Sequence, residues 1–290
     1  MKKVLVIIVT YNGERWIRDC LKSVDPDSGI YGFVVDNGST DNTLKIIEEE
    51  FPHIEIYRAE KNLGFGQGNN VGLRKAIKEA FDYVYLLNQD AWIDPKDILR
   101  MMDINDRNPD FGILSPLHLF KDLQTTDKDF HYAIPKDLTD DLLNRSDEVA
   151  ELYETDRLIP AAHWMMSTET LKKIGGFSPV FSHFGEDDNL FYRNGYHGMK
   201  AGIIPSIKAV HDRGERKPSV EATMKLFNGA IRHNISKPDS KTPVLKIVMG
   251  AIRKLRVSPG KTMAIIAKVM KDYPMIRRCR KESRKRGAFL

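Results

Sequence analysis

The strongest constraint on the fold of this chain is a repeated change of hydrophobic period along its first 115 residues. The run Val4–Val9 is uninterrupted and rich in β-branched side chains, which is typical of a strand buried on both faces of a sheet. Further strand-like runs lie at residues 32–35, 54–57 and 83–87. Helical spacing of apolar residues separates these runs, at residues 14–24, 42–51 and about 70–80. The alternation predicts an α/β fold with a mostly parallel central sheet flanked by helices.

Polar residues follow the end of each predicted strand. They are Thr10-Tyr11-Asn12, Asp36-Asn37, Asn62 and Asn88-Gln89-Asp90. Ligands of parallel α/β sheets bind beyond the carboxyl ends of the strands. We therefore expect a ligand site along this edge of the sheet.

The triplet Asn88-Gln89-Asp90 offers a carboxylate at the end of a rigid strand. Such a carboxylate is a suitable anchor for Mg²⁺ or Mn²⁺, which prefer oxygen ligands and can bridge the phosphates of a nucleoside diphosphate. The alternative is a solvated aspartate in a strand-terminal turn. Taken by itself, the triplet favours that alternative.

Three consecutive acids, Glu186-Asp187-Asp188, precede a helix-like segment. Their mutual repulsion raises the pKa of at least one carboxyl, which can then act as a general base. The alternative is an acidic helix N-terminus stabilised by the helix dipole, and the two interpretations are compatible. His211 ends a strand-like run and either completes a metal site or serves the fold, and Arg213 just beyond it is suited to a phosphate.

The segment Asn62–Gly72 is rich in glycine. The glycines allow close approach of a ligand to the backbone, and the free amides of the following helix can bind phosphate or ribose. A dehydrogenase is the rival interpretation, but the segment follows the third strand and its glycine spacing differs from the dinucleotide fingerprint. A tight turn packed under a loop is the structural alternative.

Cysteine content and hydropathy bear on the compartment. The two cysteines, Cys20 and Cys279, lie far apart in the sequence, which favours a reducing environment. No apolar stretch approaches the roughly 20 residues of a membrane-spanning helix, and the start of the chain does not resemble a signal peptide. We expect a cytoplasmic protein, either soluble or peripheral at a membrane.

In their order along residues 4–214, these motifs resemble the family 2 glycosyltransferases, which have the GT-A fold. The matching pieces are Val9–Asn12, Val35–Asp41, Asn62–Gly66 with Asn69-Asn70-x-Gly72, Leu86–Asp90, Gly175–Phe177, Gly185–Asp187 and Val210-His211. The Asn-Leu-Gly-Phe-Gly and Asn-x-Asp forms are most similar to rhamnosyltransferase-type members. The first acid of the family's Asp-x-Asp motif is Asn88 here.

The resemblance implies an inverting, metal-dependent transfer of rhamnose or another hexose in cell-surface polysaccharide synthesis. The implied donor is a dTDP- or UDP-sugar, and the implied acceptor is a hydroxyl of a glycan or a lipid-linked glycan. Asp187 would be the catalytic base, with Asp188 or Glu186 as substitutes, and Asp90 and His211 would hold Mg²⁺ or Mn²⁺. The implied donor-binding residues are Thr10, Tyr11, Asn12, Asp36, Asn62, Gly64, Asn69 and Asn88.

The chain divides by charge and pattern into a catalytic and a basic part. We expect a catalytic domain at 1–214, with a nucleotide-binding half at 1–115 and an acceptor half at 116–214. The acceptor half includes a charged segment, 120–158, which is predicted to be a long surface loop, either an insertion or a mobile loop over the site. Residues 215–290 are predicted to form a helical, basic and amphipathic C-terminal region.

Residues 237–290 contain 16 basic and three acidic residues, a net charge of +13, whereas the remainder of the chain carries −8. A basic amphipathic helix suits the anionic inner face of the plasma membrane. A solvated appendage and a contact between copies of the chain remain alternatives. We expect no nucleic-acid partner, because the tail lacks a recognisable reading motif.

Two other functions are alternatives to sugar transfer. A nucleotidyltransferase would carry a basic glycine-rich loop after the first strand, and Tyr11–Arg15 is a poor version of one. A non-catalytic protein that binds sugar nucleotides would have a degenerate site. The presence of Asp90, Asp187 and His211 argues against that second alternative.

Overall fold

The computed structural model describes residues 2–127, 130, 133–134, 151–213, 219–240 and 244–290, with the backbone alone at 244–249. Its strands are β1 Val4–Thr10, β2 Ile30–Asp36, β3 Glu55–Arg58, β4 Tyr83–Asn88, β5 Ala91–Trp92, β6 Phe111–Leu119, β7 Tyr153–Glu154, β8 His163–Ser167 and β9 Lys200–His211. Its α-helices are α1 Ile17–Leu21, α2 Thr43–Glu50, α3 Gly64–Lys78, α4 Pro95–Arg107, α5 Thr168–Ile174, α6 Glu186–Tyr196, α7 Val220–Ser236, α8 Val244–Leu255 and α9 Pro259–Glu282.

The described strands form one sheet in the order β3-β2-β1-β4-β8-β6-β9-β5, with β7 also paired to β9. Strands β1 to β4 are parallel, as expected from the alternation in the sequence. The sheet as a whole is mixed, because β8 runs antiparallel to β4 and β6, and β5 and β7 run antiparallel to β9. Strands β6 and β9 also pair in parallel, so the expectation of a mostly parallel sheet holds for β1 to β4 and for the β6–β9 pair, and not for β5, β7 and β8. Two strands that follow each other in the chain can pair in parallel only if a crossover, usually a helix, connects them. Within the described residues no helical crossover precedes β5 or β8.

Strand β1 lies at the centre of the parallel part and is buried on both faces. Val4, Val6 and Ile8 point into an apolar cluster that includes side chains of α1, α2 and α4. Leu5 and Ile7 point into a second cluster, which includes side chains of α3, α5 and α6. Each fully buried side chain of this kind contributes roughly 1.5–3 kcal/mol to folding. The two clusters hold the carboxyl ends of β1, β2 and β4 in a rigid row.

Helix α3 begins at Gly64, about six residues earlier than the sequence predicts. The glycines of the Asn62–Gly72 segment therefore lie in the first turns of a helix and not in a turn before it. A Cβ on Gly68 would come within 2.9 Å of Val9, and one on Gly72 within 2.6 Å of Ile7. The missing side chains allow α3 to pack closely on β1, which is why a segment of poor helix propensity is helical here.

The segment 120–158 was expected to be a surface loop, and residues 121–125 are exposed, but the described residues that follow them in its first half are buried. Thr126, Asp127, Phe130, Ala133 and Ile134 are all at most 3% exposed. Phe130, Ala133 and Ile134 belong to the second apolar cluster, whose burial fixes this stretch against the sheet. Residues 135–150 of the predicted loop lie outside the described residues.

The C-terminal helices pack together and against the catalytic part of the chain. An apolar cluster joins Met224, Phe227 and Ile231 of α7 to Val269 and Ile276 of α9. Val180 and Phe181, which precede α6, are buried in the same cluster. Among the described helices, none is both long and apolar enough to cross a lipid bilayer.

Candidate functional site

A cavity of about 340 Å³ opens at the carboxyl ends of β1 and β4. Parallel register places Thr10 beside Asp36 of β2, and Val9 beside Asn88 of β4. The expected residues that line the cavity are Thr10, Tyr11, Asn62, Gly64, Asn88, Asp90, Glu186, Asp187 and His211. The fold thus brings residues from five separate parts of the sequence to one site. Asn37, Gln89, Phe65, His183, Phe184 and Arg213 also line it.

Four expected site residues are not among the described residues that line the cavity: Asn12, Asp36, Asn69 and Asp188. The Asp36 carboxylate accepts hydrogen bonds from the backbone amides of Gly38 and Ser39, at 3.0 and 3.1 Å. The Asn12 side-chain oxygen accepts from the Thr40 amide at 2.8 Å. These two residues hold together the loops that follow β2 and β1. The Asn69 amide donates to the Phe65 carbonyl within α3, at 3.0 Å.

Gln89 connects the ends of β1 and β4. Its Oε1 accepts from the Thr10 hydroxyl at 2.7 Å and from the Tyr11 amide at 2.9 Å. The side chain therefore fixes the loop that begins the cavity wall. Sequence reasoning passed over it because the triplet Asn88-Gln89-Asp90 drew attention only to its carboxylate.

Asp90 and His211 face each other across a short antiparallel pairing. Ala91 of β5 pairs with His211 of β9, and the Asp212 amide donates to the Asp90 carbonyl at 2.8 Å. This pairing brings Asp90 Oδ1 to 3.6 Å from His211 Nε2. Both side chains are buried, although 121 residues separate them in sequence. The two predicted metal ligands are therefore neighbours in the structure.

The other nitrogen of His211 faces a residue that the sequence did not single out. His211 Nδ1 lies 2.8 Å from Asp127 Oδ2, and Asp127 is 2% exposed. Burial lowers the pKa of His211, but hydrogen bonds and charge from Asp127 and Asp90 outweigh burial and raise that pKa to about 9. Two carboxylates thus make this position strongly favourable for positive charge.

The Asp90–His211 pair fits a divalent cation. Two ligand atoms about 2.1 Å from one ion lie roughly 3 Å apart at right angles and roughly 4 Å apart when opposite. The 3.6 Å separation falls within that range. Asn88 Nδ2 lies 3.5 Å from His211 Nε2, and Asn88 Oδ1 is a buried oxygen to which the described residues supply no hydrogen bond. This orphaned oxygen stands where the family motif carries its first acid.

A second group of metal-ligand types lies deeper. The ligand atoms of His118, Asp127 and His211 lie within 4.8 Å of one another, and all three residues are buried. His118 and Asp127 do not line the cavity, whereas His211 does. His118 Nε2 is 2.8 Å from the Ser115 hydroxyl. His211 is therefore shared between a pair that faces the cavity and a group behind it.

Two of the three acids at the start of α6, Glu186 and Asp187, line the same cavity. Burial, followed by the charge of Asp187, raises the pKa of Glu186 to about 7. Burial, followed by the charge of Asp188, raises the pKa of Asp187 to about 6. Glu186 Oε2 is buried and accepts no hydrogen bond from the part of the chain that the structure describes. A pKa near neutrality is what a general base requires.

The loop before these acids is strained and supported by α7. Phe184 has φ of +67° and Gly185 has φ of +90°, so the chain turns sharply into α6. Left-handed backbone at a non-glycine residue costs energy and persists only where packing enforces it. Gly229 of α7 lies directly behind this loop. The C-terminal helices therefore contribute to the shape of the site.

Comparison with known proteins identifies a family for this arrangement. Residues 5–175, more than half of the chain, match the family model described as glycosyl transferase family 2. The glycosyltransferase GlyA of Streptococcus pneumoniae is 33% identical over 96 residues, which are 32% of this chain and 13% of GlyA. The rhamnosyltransferase WbbL of Escherichia coli is 22% identical over 223 residues, which are 72% of this chain and 83% of WbbL. The match thus spans a small part of GlyA and most of WbbL.

A solved structure shares the fold. The mannosyltransferase PcManGT from Pyrobaculum calidifontis, in complex with GDP-Man and Mn²⁺, aligns with a TM-score of 0.57 at 19% identity. The alignment covers 93% of this chain and 75% of that chain. This likeness confirms the expected GT-A type of α/β fold.

Proposed function

The chain belongs to glycosyl transferase family 2, and on that premise we propose that it is a metal-dependent, inverting sugar transferase. One observation carries the proposal: the Asp90–His211 pair and the Glu186–Asp187 pair line the same cavity. The first pair suits a cation beside a diphosphate, and the second suits removal of a proton from a hydroxyl. Family membership also decides against the nucleotidyltransferase alternative.

The donor is a nucleoside-diphosphate sugar, which we take to be a dTDP- or UDP-hexose such as rhamnose. Similarity to the rhamnosyltransferase WbbL supports the sugar, and the GDP-Man in the PcManGT structure supports the donor class. Thr10, Tyr11, Asn62 and Gly64 line the cavity, and we assign them to the nucleotide and the donor sugar. The acceptor is a hydroxyl of a glycan or a lipid-linked glycan in cell-surface polysaccharide synthesis.

Asp187 is the base. It lines the cavity, whereas Asp188 does not, and the lower pKa of Asp187 leaves it more ionised than Glu186 near neutral pH. Because the pKa of Glu186 is about 7, a substantial fraction of this side chain is protonated near neutral pH, and in that form it can donate a hydrogen bond to a sugar oxygen. Glu186 and Asp187 thereby take different roles because their pKa values differ.

The reaction then follows from these positions. Asp187 accepts the proton of the acceptor hydroxyl while that oxygen bonds to the anomeric carbon of the donor. The bond from this carbon to the diphosphate oxygen breaks on the opposite face, and its electron pair leaves with the diphosphate. The product is inverted at that carbon. Asp90 and His211 would hold a Mg²⁺ or Mn²⁺ ion, which would supply positive charge to stabilise the leaving diphosphate.

A donor screen tests the proposal. The full chain is incubated with a panel of nucleotide sugars, Mn²⁺ or Mg²⁺, and lipid-linked or soluble glycan acceptors, and released nucleoside diphosphate is measured. We expect release with a dTDP- or UDP-hexose that depends on both acceptor and cation. Absence of release with every donor would refute the enzyme assignment. Release of nucleoside diphosphate in the presence of a chelator and without added cation would refute only the metal dependence.

The division of the chain is also part of the proposal. Residues 1–214 form the catalytic domain, in which 1–115 bind the nucleotide and 116–214 the acceptor. Residues 215–290 form a basic helical region that attaches the enzyme to the inner face of the plasma membrane, with the catalytic domain in the cytoplasm. A groove of about 420 Å³ at α7 and α9 supports the membrane attachment. Its lining combines the apolar side chains Met224 and Ile265 with the cations Lys225, Lys261 and Lys268.

Exposed apolar side chains next to cations support a lipid surface as the partner. Met263, Met270 and Tyr273 of α9 are about half or more exposed, and Lys268 and Lys271 are exposed beside them. Co-sedimentation with vesicles tests the attachment. We expect binding to vesicles that contain phosphatidylglycerol, and loss of binding at high salt or on neutral phosphatidylcholine vesicles. Self-association without vesicle binding would instead assign this surface to a contact between copies of the chain.

A further inference from the structure

We propose that Asp127 is a positioning residue of the cation site, which holds the His211 ring so that Nε2 faces Asp90. The inference rests on the cation site of the proposed function. Asp127 lies in the segment expected to be a surface loop, and no role was assigned to it from the sequence. The fold of the chain, and not a local pattern in the sequence, brings Asp127 next to His211.

The contact is short and buried. His211 Nδ1 is 2.8 Å from Asp127 Oδ2, and the two residues are 0% and 2% exposed. An ionised carboxylate only accepts hydrogen bonds, so Nδ1 must carry the proton that this bond uses. With Nδ1 protonated, a neutral ring presents its Nε2 lone pair. That atom is the one 3.6 Å from Asp90.

A second contact agrees with this orientation. Arg213 Nε lies 3.2 Å from His211 Nε2 and 3.7 Å from Asp127 Oδ2. A guanidinium only donates hydrogen bonds, so this contact is a hydrogen bond when the ring is neutral and Nε2 carries the lone pair. A histidine that binds a metal commonly donates its other ring N–H to a carboxylate, which fixes the ring and raises its basicity. Asp127 is placed to do this for His211.

The chain directs Asp127 to this position by a tight turn after β6. The Phe120 amide donates to the Thr125 carbonyl at 2.8 Å, and the Asp127 amide donates to the His118 carbonyl at 3.0 Å. These bonds fold residues 120–127 back along the end of the strand. The carboxylate therefore reaches the face of His211 that points away from the cavity.

The deeper group offers a competing explanation, in which Asp127, His118 and His211 bind a cation directly. Two observations favour the positioning role. Asp127 and His118 do not line the cavity, so an ion held by them and His211 would lie behind the cavity wall and not within the cavity. Asp90 and His211 both line it and lie at a separation suited to one ion.

Calorimetric titration of the full chain with Mn²⁺, without donor, tests the inference independently of activity. We expect Asp127→Ala to weaken Mn²⁺ binding by about 10–100-fold. Asp127→Asn should weaken it less, because the amide oxygen still accepts from Nδ1 but lacks the charge. Asp90→Ala and His211→Ala should abolish binding. Asp156→Ala removes an exposed aspartate in the same half of the chain and should bind as the unchanged protein.

The outcomes separate the two levels of the argument. If the unchanged protein does not bind Mn²⁺, the cation site of the proposed function fails, and the role of Asp127 fails with it. If Asp90→Ala and His211→Ala abolish binding but both Asp127 variants bind normally, only the positioning role is overturned. If His118→Gln and Asp127→Ala abolish binding while Asp90→Ala does not, Asp127 is a ligand and the positioning role is again overturned. Circular dichroism establishes that each variant is folded, and Asp127→Asn, nearly equal in size, keeps the test decisive if Asp127→Ala unfolds.

Discussion

Gly229 of α7 lies against the backbone of Phe184, so closely that a Cβ on the glycine would be 2.5 Å from the Phe184 carbonyl oxygen. Phe184 immediately precedes Gly185 and the acids of α6, and it has φ of +67°. A contact between residues 45 positions apart therefore joins the basic helical region to the loop before the acids of α6. Nearby, Arg232 of α7 donates to the Val180 carbonyl at 3.1 Å, and Asn189 of α6 donates to the Ser236 hydroxyl at 3.1 Å.

Gly229→Ala should impair catalysis while leaving the donor bound. The added methyl group must push the Phe184 loop toward the cavity, which displaces Asp187 from its acceptor. A misplacement of about 1 Å can lower turnover by roughly 10²-fold. Steady-state kinetics together with donor titration measure the two effects. Gly260→Ala is the matched control, because a Cβ there meets nothing within 4 Å. Unchanged turnover in Gly229→Ala would show that α7 does not position the base.

Asp187→Asn should abolish most transfer, because the amide cannot accept the proton of the acceptor hydroxyl. General-base catalysis is typically worth about 10²–10⁴-fold, and a loss in that range in turnover number is expected. Donor affinity, measured by calorimetry, should change little. Asp188→Asn makes the same chemical change at the adjacent acid, which does not line the cavity. If Asp188→Asn loses more activity than Asp187→Asn, the base is Asp188.

The rate of transfer should fall in acid with a midpoint near pH 6. The pKa of Asp187 is raised to about 6, chiefly by burial, so the carboxyl is protonated and inactive as a base below that value. Its ionised, active fraction increases as the pH rises through 6. The dependence of kcat/KM on pH at saturating cation measures this. A rate that is flat between pH 5 and 8 would contradict the assignment of Asp187 as the base.

Glu186→Gln should stabilise the fold at alkaline pH. The pKa of Glu186 is raised by burial to about 7, above its ordinary value of 4.5. The folded state then retains a proton that the unfolded state releases, so stability falls as the pH rises through the window from about 4.5 to 7, by about 1.4 kcal/mol per pKa unit. Glutamine does not ionise and removes this loss.

Thermal unfolding at pH 4 and pH 8 measures the effect of Glu186→Gln. The variant should differ little from the unchanged protein at pH 4 and should unfold at a higher temperature at pH 8. Glu169→Gln, at an exposed position of α5, is the control and should leave the pH dependence unaltered. Equal destabilisation by Glu186→Gln at both pH values would mean that the Glu186 side chain makes a stabilising contact, and that burial of its ionised form does not destabilise the fold.

Much of this protein could be predicted from its sequence, because the informative patterns are local. The β-branched run of β1 and the helical spacing of α1 and α2 report burial within single elements, and this was enough to predict the parallel half of the sheet. Polar residues at strand ends, such as Asp90, are predictable because parallel strands deliver their carboxyl ends to one edge. The order of these motifs then indicated the family, which the family match confirms.

The start of α3 was not predictable in this way. Glycine has poor helix propensity, so the sequence indicated a turn around Gly64, Gly66 and Gly68. Helix packing reversed that preference, since Gly68 and Gly72 sit where a side chain would collide with β1. The mixed order of the second half of the sheet escaped prediction for a related reason, because strand direction there depends on pairing between distant segments.

The sequence by itself determined the chemical groups of the candidate site: a strand-end carboxylate at Asp90, a run of acids at 186–188 and a histidine at 211. Only the tertiary structure decided which other residues contact these groups or the loop that carries them. Asp127 meets His211 across 84 positions, and Gly229 meets Phe184 across 45, through contacts that no local period encodes. Such pairs are set by the order of strands and the packing of helices, which arise from burial summed over the whole chain.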